Sequence, residues 1–318
     1  MKSIAIACVV AAGFAAAAEV WTFEVEADAP RVVSCKVGRD WPARMATHDV
    51  AALGADGAVT PVPWTLDTTG DQPELVFLSD GHTHFTLLPR PASHTGGSSF
   101  SSTATVPLTG GSRSCATEKA PSLAVAAAPD GEITVRNESF ELRHPAKKGG
   151  GLPQHLAFPQ SGQRDDDLYF LDRLVRRNAK GRLEQFTVRS VPATVRIALN
   201  TPLRAVVETS SLVQGVRLSY RYVYTAGSPV VRVETRHEQD AEADWSEIHT
   251  LHASWPQEKP RYTHHLGNWQ PKPVPIQKPG EKSKGFGGKW LAYTDGTNAV
   301  AVAADQVTGW DASNEFVY

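Results

Sequence analysis

With 318 residues, 32 Lys and Arg against 34 Asp and Glu, and a formal charge of −2, the chain has no general electrostatic pull toward nucleic acid or anionic membranes. Its size suits two domains or one large β-domain. The 22 prolines and 25 glycines, with apolar residues mostly alternating with polar ones, exclude a helical protein and predict an all-β fold with little helix.

Residues 1–18 read as a signal peptide: Lys2 supplies the positive start, Ile4 to Phe14 the apolar stretch, and Ala15 to Ala18 the small-residue cleavage site. The apolar run is shorter than the ~20 residues a membrane span needs, so the expected product starts near Glu19 and is secreted or periplasmic, with no membrane attachment after cleavage. Cys8 leaves with the signal, and Cys35 and Cys115 remain. In an oxidising compartment they are either a disulfide, stabilising by about 4–5 kcal/mol for a loop of this length, or two separate thiols. Without a paired histidine motif they do not make a zinc site.

Val20–Glu26 and Arg31–Val37 alternate as strands, and Asp56-Gly57 punctuates a hairpin within Val50–Val62. Pro63–Asp67, Glu74–Leu78 and His82–Leu88 follow, the last two separated by Asp80-Gly81. Regular short strands divided by tight turns predict a small N-terminal β-barrel over 19–90. Residues 91–125, rich in Ser, Thr, Gly and Pro, read as a linker.

The remainder, 126–318, reads as a large antiparallel β-sandwich. Ile133–Val135 and Ser139–Leu142 lead to Gly149-Gly150-Gly151, where the backbone turns tightly or packs closely. The run lacks the Lys-Ser/Thr of a phosphate loop. Asp165-Asp166-Asp167 offers oxygens of the kind calcium takes, against the plainer expectation of a hydrated turn or helix cap; no other cofactor is implied. Asp172–Arg177 is the one short helix expected. Residues 216–238 predict a long hairpin with a heavily charged face, in the register that pairs Tyr222 with Val233, Arg221 with Glu234 and Arg217 with Glu238.

A family resemblance rests on Asp56-Gly57, Val62-Pro63 and Glu74–Gly81, which look like the small RIFT-type barrel that precedes the large domain of some bacterial exo-acting rhamnogalacturonan lyases. Asn137–Phe140, the Gly149–Leu152 turn, the 216–238 hairpin, and Gly288–Gly296 followed by Ala299–Val302 resemble the galactose-mutarotase-like supersandwich. The resemblance implies a carbohydrate-active fold, complete or cut short. The α/α toroid that such lyases add has no counterpart among these residues, and the chain stops at Glu315–Tyr318 soon after a strand, as an abbreviated domain or a piece of a longer enzyme would.

A lyase acting on a uronate must neutralise its carboxylate and remove the C5 proton, work suited to Arg and to His, Tyr or Lys. Arg221, Arg232 and Arg236 are the expected substrate-binding cations, joined by Trp269 in a Pro-rich loop, since indole rings stack on pyranose faces. Glu247, His249, His252 and Tyr262 are the candidate catalytic groups. Alternation places Glu247 and His249 on one face and His252 on the other, and mutarotase-like chemistry also surrounds the sugar with a carboxylate and imidazoles. His264-His265 would need further ligands to hold a metal, and none is assigned. The plainer alternatives are cross-strand ion pairs for the arginines and a solvated strand edge for Glu247 and His249.

Three readings follow from these residues. The chain is a secreted polysaccharide lyase-like or hydrolase-like protein with an acidic polysaccharide or oligosaccharide as partner, a non-catalytic sugar-binding module, or a structural envelope protein. Glu247 and His249 facing an Arg-lined cleft would favour the first, and their separation from it the others.

Overall fold

The computed structural model describes residues 22–24, 31–79, 81–89, 121–254, 263–267, 274–277, 290–294 and 299–303. Residues 1–18, residues 91–120 of the expected 91–125 linker, with Cys115, and Tyr262 and Trp269 lie outside them, and the end of that expected linker is strand from Leu123. Within them the fold is all-β, as the alternation predicts. The first strands are β1 (Thr22–Glu24), β2 (Val32–Lys36), β3 (His48–Leu53), β4 (Val59–Pro61), β5 (Trp64–Asp67), β6 (Glu74–Leu78) and β7 (His84–Pro89), with one short helix, α1, at Trp41–Met45. They form a four-stranded sheet in the order β1-β7-β3-β4 and a three-stranded sheet in the order β2-β6-β5.

The expected small barrel is therefore two open sheets enclosing one core of Val33, Met45, Val50, Leu75, Phe77, Phe85 and Leu87 among others. The rings of Phe77 and Phe85 sit 4.8 Å apart and tilted at 59°. Asp56-Gly57 turns the β3–β4 hairpin as expected, with Gly57 at φ 80° and the Ala58 N–H donating to Asp56 Oδ1 at 3.0 Å. Cys35 is a free thiol, pushed up to about 11 by burial and by the nearby Glu74 carboxylate.

The second group of strands is β8 (Leu123–Ala127), β9 (Ile133–Asn137), β10 (Glu141–His144), β11 (Gln154–Phe158), β12 (Gln163–Arg177), β13 (Leu183–Thr187), β14 (Thr194–Asn200), β15 (Arg204–Val213), β16 (Val216–Thr225), β17 (Arg232–Gln239) and β18 (Glu247–Ser254). β8 to β13 with β18 make one large sheet, and β14 to β17 make a second, the charged sheet. Two expectations change here: Asp172–Arg177 is strand rather than helix, and Asp165–Asp167 lies inside β12 rather than in a turn or cap. A β-branched, aromatic and Leu-rich stretch flanked by pairing partners on both sides overrides the local helical look of Asp-Arg-Leu-Val-Arg-Arg. β19 (Thr263–Gly267), β20 (Val274–Gln277), β21 (Trp290–Thr294) and β22 (Ala299–Ala303) form a further four-stranded sheet.

The 216–238 hairpin has the predicted register, with Tyr222 opposite Val233, Arg221 opposite Glu234 and Arg217 opposite Glu238. Its inward positions, Leu218, Tyr220, Tyr222 and Tyr224, join Leu142, Leu156, Leu174 and Val207 in the core between the two sheets. Its outward positions carry charge, so a slip of one residue would bury arginines and expose tyrosines. Gly149, Gly150 and Gly151 all have φ between 62° and 74°. A Cβ on Gly150 would lie 2.9 Å from Val188 Cβ, and one on Gly151 2.9 Å from Thr209 Cβ, so this turn needs glycine for conformation and for close approach alike.

The N-terminal unit meets the outer face of the charged sheet through β5 and β6. Asp67 Oδ2 lies 2.9 Å from Arg221 Nη2 and 3.4 Å from Arg204 Nη1; Glu74 lies 2.7 Å from Arg204 and 2.6 Å from Arg232. Asp67 and Arg204 are 1% and 3% exposed. Burial alone would raise the Glu74 carboxyl, but hydrogen bonds from Ser34, Arg204 and Arg232 together with the Arg204 charge outweigh it and hold it at about 2. Asp67 is likewise lowered against its own burial by Thr69, Arg221 and Arg204. Removing one partner of such a cluster leaves a buried charge uncompensated.

Arg204→Met is expected to destabilise by about 3–5 kcal/mol, read from the urea midpoint. Because the folded pKa of Glu74 lies below its ordinary value of 4.5, its contribution is complete above that pH and is lost as the pH falls toward 2. Glu74→Gln should therefore narrow the stability difference between pH 6 and pH 3 relative to wild type. Gly150→Ala should cost about 1–3 kcal/mol from the left-handed backbone alone, with more from the clash at Val188, and the same urea titration measures it.

Candidate functional site

β18 pairs with β12 in two stretches separated by an irregularity. Tyr169, Phe170 and Leu171 stand opposite Ser254, Ala253 and His252; Arg173, Leu174 and Val175 stand opposite His249, Ile248 and Glu247. Asp172 alone therefore faces Thr250 and Leu251, a β-bulge. Leu251 takes φ 52°, a left-handed conformation uncommon for a bulky residue, and its N–H donates to Asp172 Oδ1 at 2.8 Å. The unbroken two-residue alternation expected from Glu247 to His252 is interrupted here: the register puts position 252 opposite Leu171, beyond the bulge, with its side chain outside the described residues.

Alternation along β12 turns Asp172 and Leu174 to the core and Arg173 and Val175 to the other face. On that face Arg173 Nη2 lies 3.1 Å from Glu247 Oε2 and 2.9 Å from His249 Nε2, while His249 Nε2 lies 2.7 Å from Glu247 Oε2. One ring nitrogen thus faces a donor and an acceptor. Protonated, it donates to Glu247; unprotonated, it accepts from Arg173. Glu247 and His249 share a face, as the sequence predicts. Arg173 escaped notice because its segment resembled a helix, which hid its place opposite His249.

The expected sugar-binding arginines lie elsewhere. On the charged sheet, registers align Arg196, Glu208, Arg221 and Glu234 in one row across four strands, Ser210, Ser219 and Arg236 in the next, and Leu212, Arg217 and Glu238 beyond it. Arg221 donates to Asp67, Thr69 and Glu234, and a Cβ on Gly70 would lie 3.4 Å from its guanidinium carbon. Arg232 is held between Glu74 and Glu234. These two are therefore largely occupied by the N-terminal unit. Arg236 pairs with Glu238 at 2.5 Å, yet its side chain is 77% exposed.

The sandwich core separates this outer face from the face that carries Arg173, Glu247 and His249. Among the described residues, no single cleft gathers the predicted arginines around the predicted acid/base pair. Trp245 donates to Gln239 Oε1 at 3.1 Å and meets Phe186 edge-on, with Arg176 4.9 Å above the Phe186 ring. Its role there is packing of an edge.

A second polar group lies in the core itself. Tyr220 donates its hydroxyl to Asp172 Oδ2, and His237 Nε2 lies 3.4 Å from the same hydroxyl. Burial pushes Asp172 up to about 7, against the opposing pull of the Leu251 N–H, and lowers His237. Nearby, His144 Nδ1 donates to Gly151 O at 2.9 Å, so its Nε2 accepts the Tyr224 hydroxyl at 2.5 Å. Desolvation lowers His144 to about 4, which keeps it neutral and structural. The sequence reading missed Asp172 and Tyr220 because their strands meet only when the sandwich closes.

No family model and no curated protein matches this chain. Among solved structures, an alpha-mannosidase from Enterococcus faecalis V583 is similar at 10% identity and a TM-score of 0.44, over 86% of this chain and 37% of that one. A protein in the glycosyl hydrolase family 38 from Enterococcus faecalis is similar at 11% identity and a TM-score of 0.36, over 66% of this chain and 29% of that one. The chain thus spans well under two thirds of either structure's length.

A double-mutant cycle between Arg173→Ala and Glu247→Ala is expected to give a coupling of about 0.5–1 kcal/mol, the range of partly exposed ion pairs. Thermal or urea unfolding of the four proteins measures it.

Proposed function

We propose that this is a secreted protein that binds an acidic polysaccharide or oligosaccharide on the open half of the charged sheet. The observation that carries the proposal is the pair of rows beyond the N-terminal unit. Ser210, Ser219 and Arg236, then Leu212, Arg217 and Glu238, lie side by side on a regular sheet, with Leu212 50% exposed. Hydroxyls, two guanidiniums and an apolar side chain at strand spacing match the hydroxyls, carboxylates and C–H faces of a uronate-containing chain. Asp67, Glu74 and Glu234 already neutralise Arg204, Arg221 and Arg232, so the cations on the exposed rows are Arg217 and Arg236, the latter shared with Glu238.

The distance of these rows from Glu247 and His249 supports binding without catalysis. A lyase-like reading is kept by the Arg173–Glu247–His249 group, which has a proton acceptor beside a cation. It would make Arg173, rather than Arg221, Arg232 or Arg236, the group that meets the substrate carboxylate.

Incubation of the secreted protein with pectic and other acidic polysaccharides separates the two, reading binding together with absorbance from new double bonds. Binding without that absorbance is expected. Arg217→Ala and Arg236→Ala should each weaken binding by roughly threefold to tenfold, about 1 kcal/mol, with a reduced salt dependence. New double bonds that vanish in His249→Ala would replace the binding reading with the lyase, and absence of binding to every acidic polymer would overturn both.

A further inference from the structure

Asp172 is a carboxylic acid enclosed at the seam of the sandwich. It is 1% exposed, and both of its oxygens are engaged: Oδ1 by the Leu251 N–H of β18 and Oδ2 by the Tyr220 hydroxyl of β16. One carboxyl group thus joins three strands from two sheets. Among the described residues β18 pairs only with β12, and its pairing is interrupted at Asp172 itself. The bulge is held by the Leu251–Asp172 bond in a backbone conformation that a leucine rarely adopts.

Among the described residues, the groups around the carboxyl supply no cation. From β16 come Tyr220 and, stacked on it at 5.9 Å, Tyr222; behind Tyr222, at 4.6 Å, stands the neutral His144 of β10. From β17 comes His237, lowered by its own desolvation. Of the titratable groups of β18, Glu247 and His249 are turned to the opposite face and engaged with Arg173, the residue next to Asp172, and the side chain of His252 lies outside the described residues. An ionised Asp172 is therefore a buried charge stabilised by two hydrogen bonds alone, which is why burial dominates its titration.

We propose that Asp172, Tyr220 and His237 form a proton-operated latch, which sets how firmly β18, with Glu247 and His249 on it, is held to the body of the sandwich. With Asp172 ionised, the Tyr220 hydroxyl donates to Oδ2, and its oxygen is left to accept the Nε2–H of His237. One proton taken from solvent onto Oδ2 reverses the chain: Asp172 donates to Tyr220, and Tyr220 donates to His237 Nε2, whose own proton moves to Nδ1 by exchange with water. Oδ1 keeps the Leu251 N–H in both states. The added proton removes the buried charge, so opening β18 to water is no longer favoured by solvating it.

The sign follows from the direction of the shift. The folded pKa of Asp172, about 7, lies above the ordinary 3.8, so the closed state binds the proton more tightly than an opened one. The latch is complete below about pH 4, weakens as pH rises toward 7, and changes no further above it. This device stands independently of whether the charged sheet binds a glycan.

Amide hydrogen exchange on the full chain between pH 4.5 and 7.5, expressed as protection relative to intrinsic exchange, tests the latch together with the tautomer of His237 read from its ring 15N shifts. Protection in β18, Leu251 foremost, should fall with rising pH by up to about tenfold per unit for one linked proton. His237 should pass from the Nδ1–H to the Nε2–H form over the same range. Asp172→Asn should make the protection independent of pH. Flat protection in wild type, or an unchanged pH dependence in Asp172→Asn, would overturn the proposal. Should that variant fail to fold, Tyr220→Phe breaks the relay instead, and a His237 tautomer that still follows pH in it would be equally fatal.

Discussion

Two carboxylates placed in an almost dry interface determine how this molecule is assembled. Asp67 and Glu74 sit at the ends of β5 and β6, and neither can be enclosed as an anion without cations close by. Arg204, Arg221 and Arg232 stand on three adjacent strands of the charged sheet and reach them at 2.6 to 3.4 Å. Glu234 completes the group by contacting Arg221 and Arg232, so three carboxylates meet three guanidiniums. A different docking of the N-terminal sheets would leave several of these charges unpaired in a low-dielectric setting. The cluster is thus less a source of net stability than a statement of which surfaces must meet.

That assignment divides the charged sheet. Val206 and Val223, paired across β15 and β16 on the same outer face, are almost completely buried, and the arginines flanking them are neutralised. Farther along the same strands the face stays open, with Ser, Arg and Leu in register. One continuous pattern of alternating residues therefore serves two purposes, and the boundary between them is set by where β5 and β6 come to rest. The inner face of the same sheet serves a third, since its tyrosines fill the core and bring Tyr220 to Asp172.

The large sheet shows how one irregularity can matter more than many regular pairs. A single extra residue in β18 opposite Asp172 lets a backbone N–H reach the carboxyl that Tyr220 already holds. Arg173, Glu247 and His249 then lie on the far side of the same strand pair. The buried carboxyl of Asp172 and the Arg173–Glu247–His249 group thus lie on opposite faces of one strand pair.

Much of this was legible in the chain alone. Alternation along 216–238 fixed the hairpin register, because only one pairing puts tyrosines inward and opposite charges side by side; the glycines at 149–151 announced a close turn, and Glu247 shares a face with His249. What the chain did not contain was the third dimension of its charges. Arg221 and Arg232 look like free cations along the sequence, and become occupied only when Asp67 and Glu74, 154 and 158 positions away along the chain, are folded against them. Asp172 and Arg173 looked helical because local propensity is weak beside pairing on both edges of a strand. A closed barrel became two open sheets for a related reason: short strands and turns specify neighbours, whereas closure depends on how a whole sheet twists and on what covers its edges.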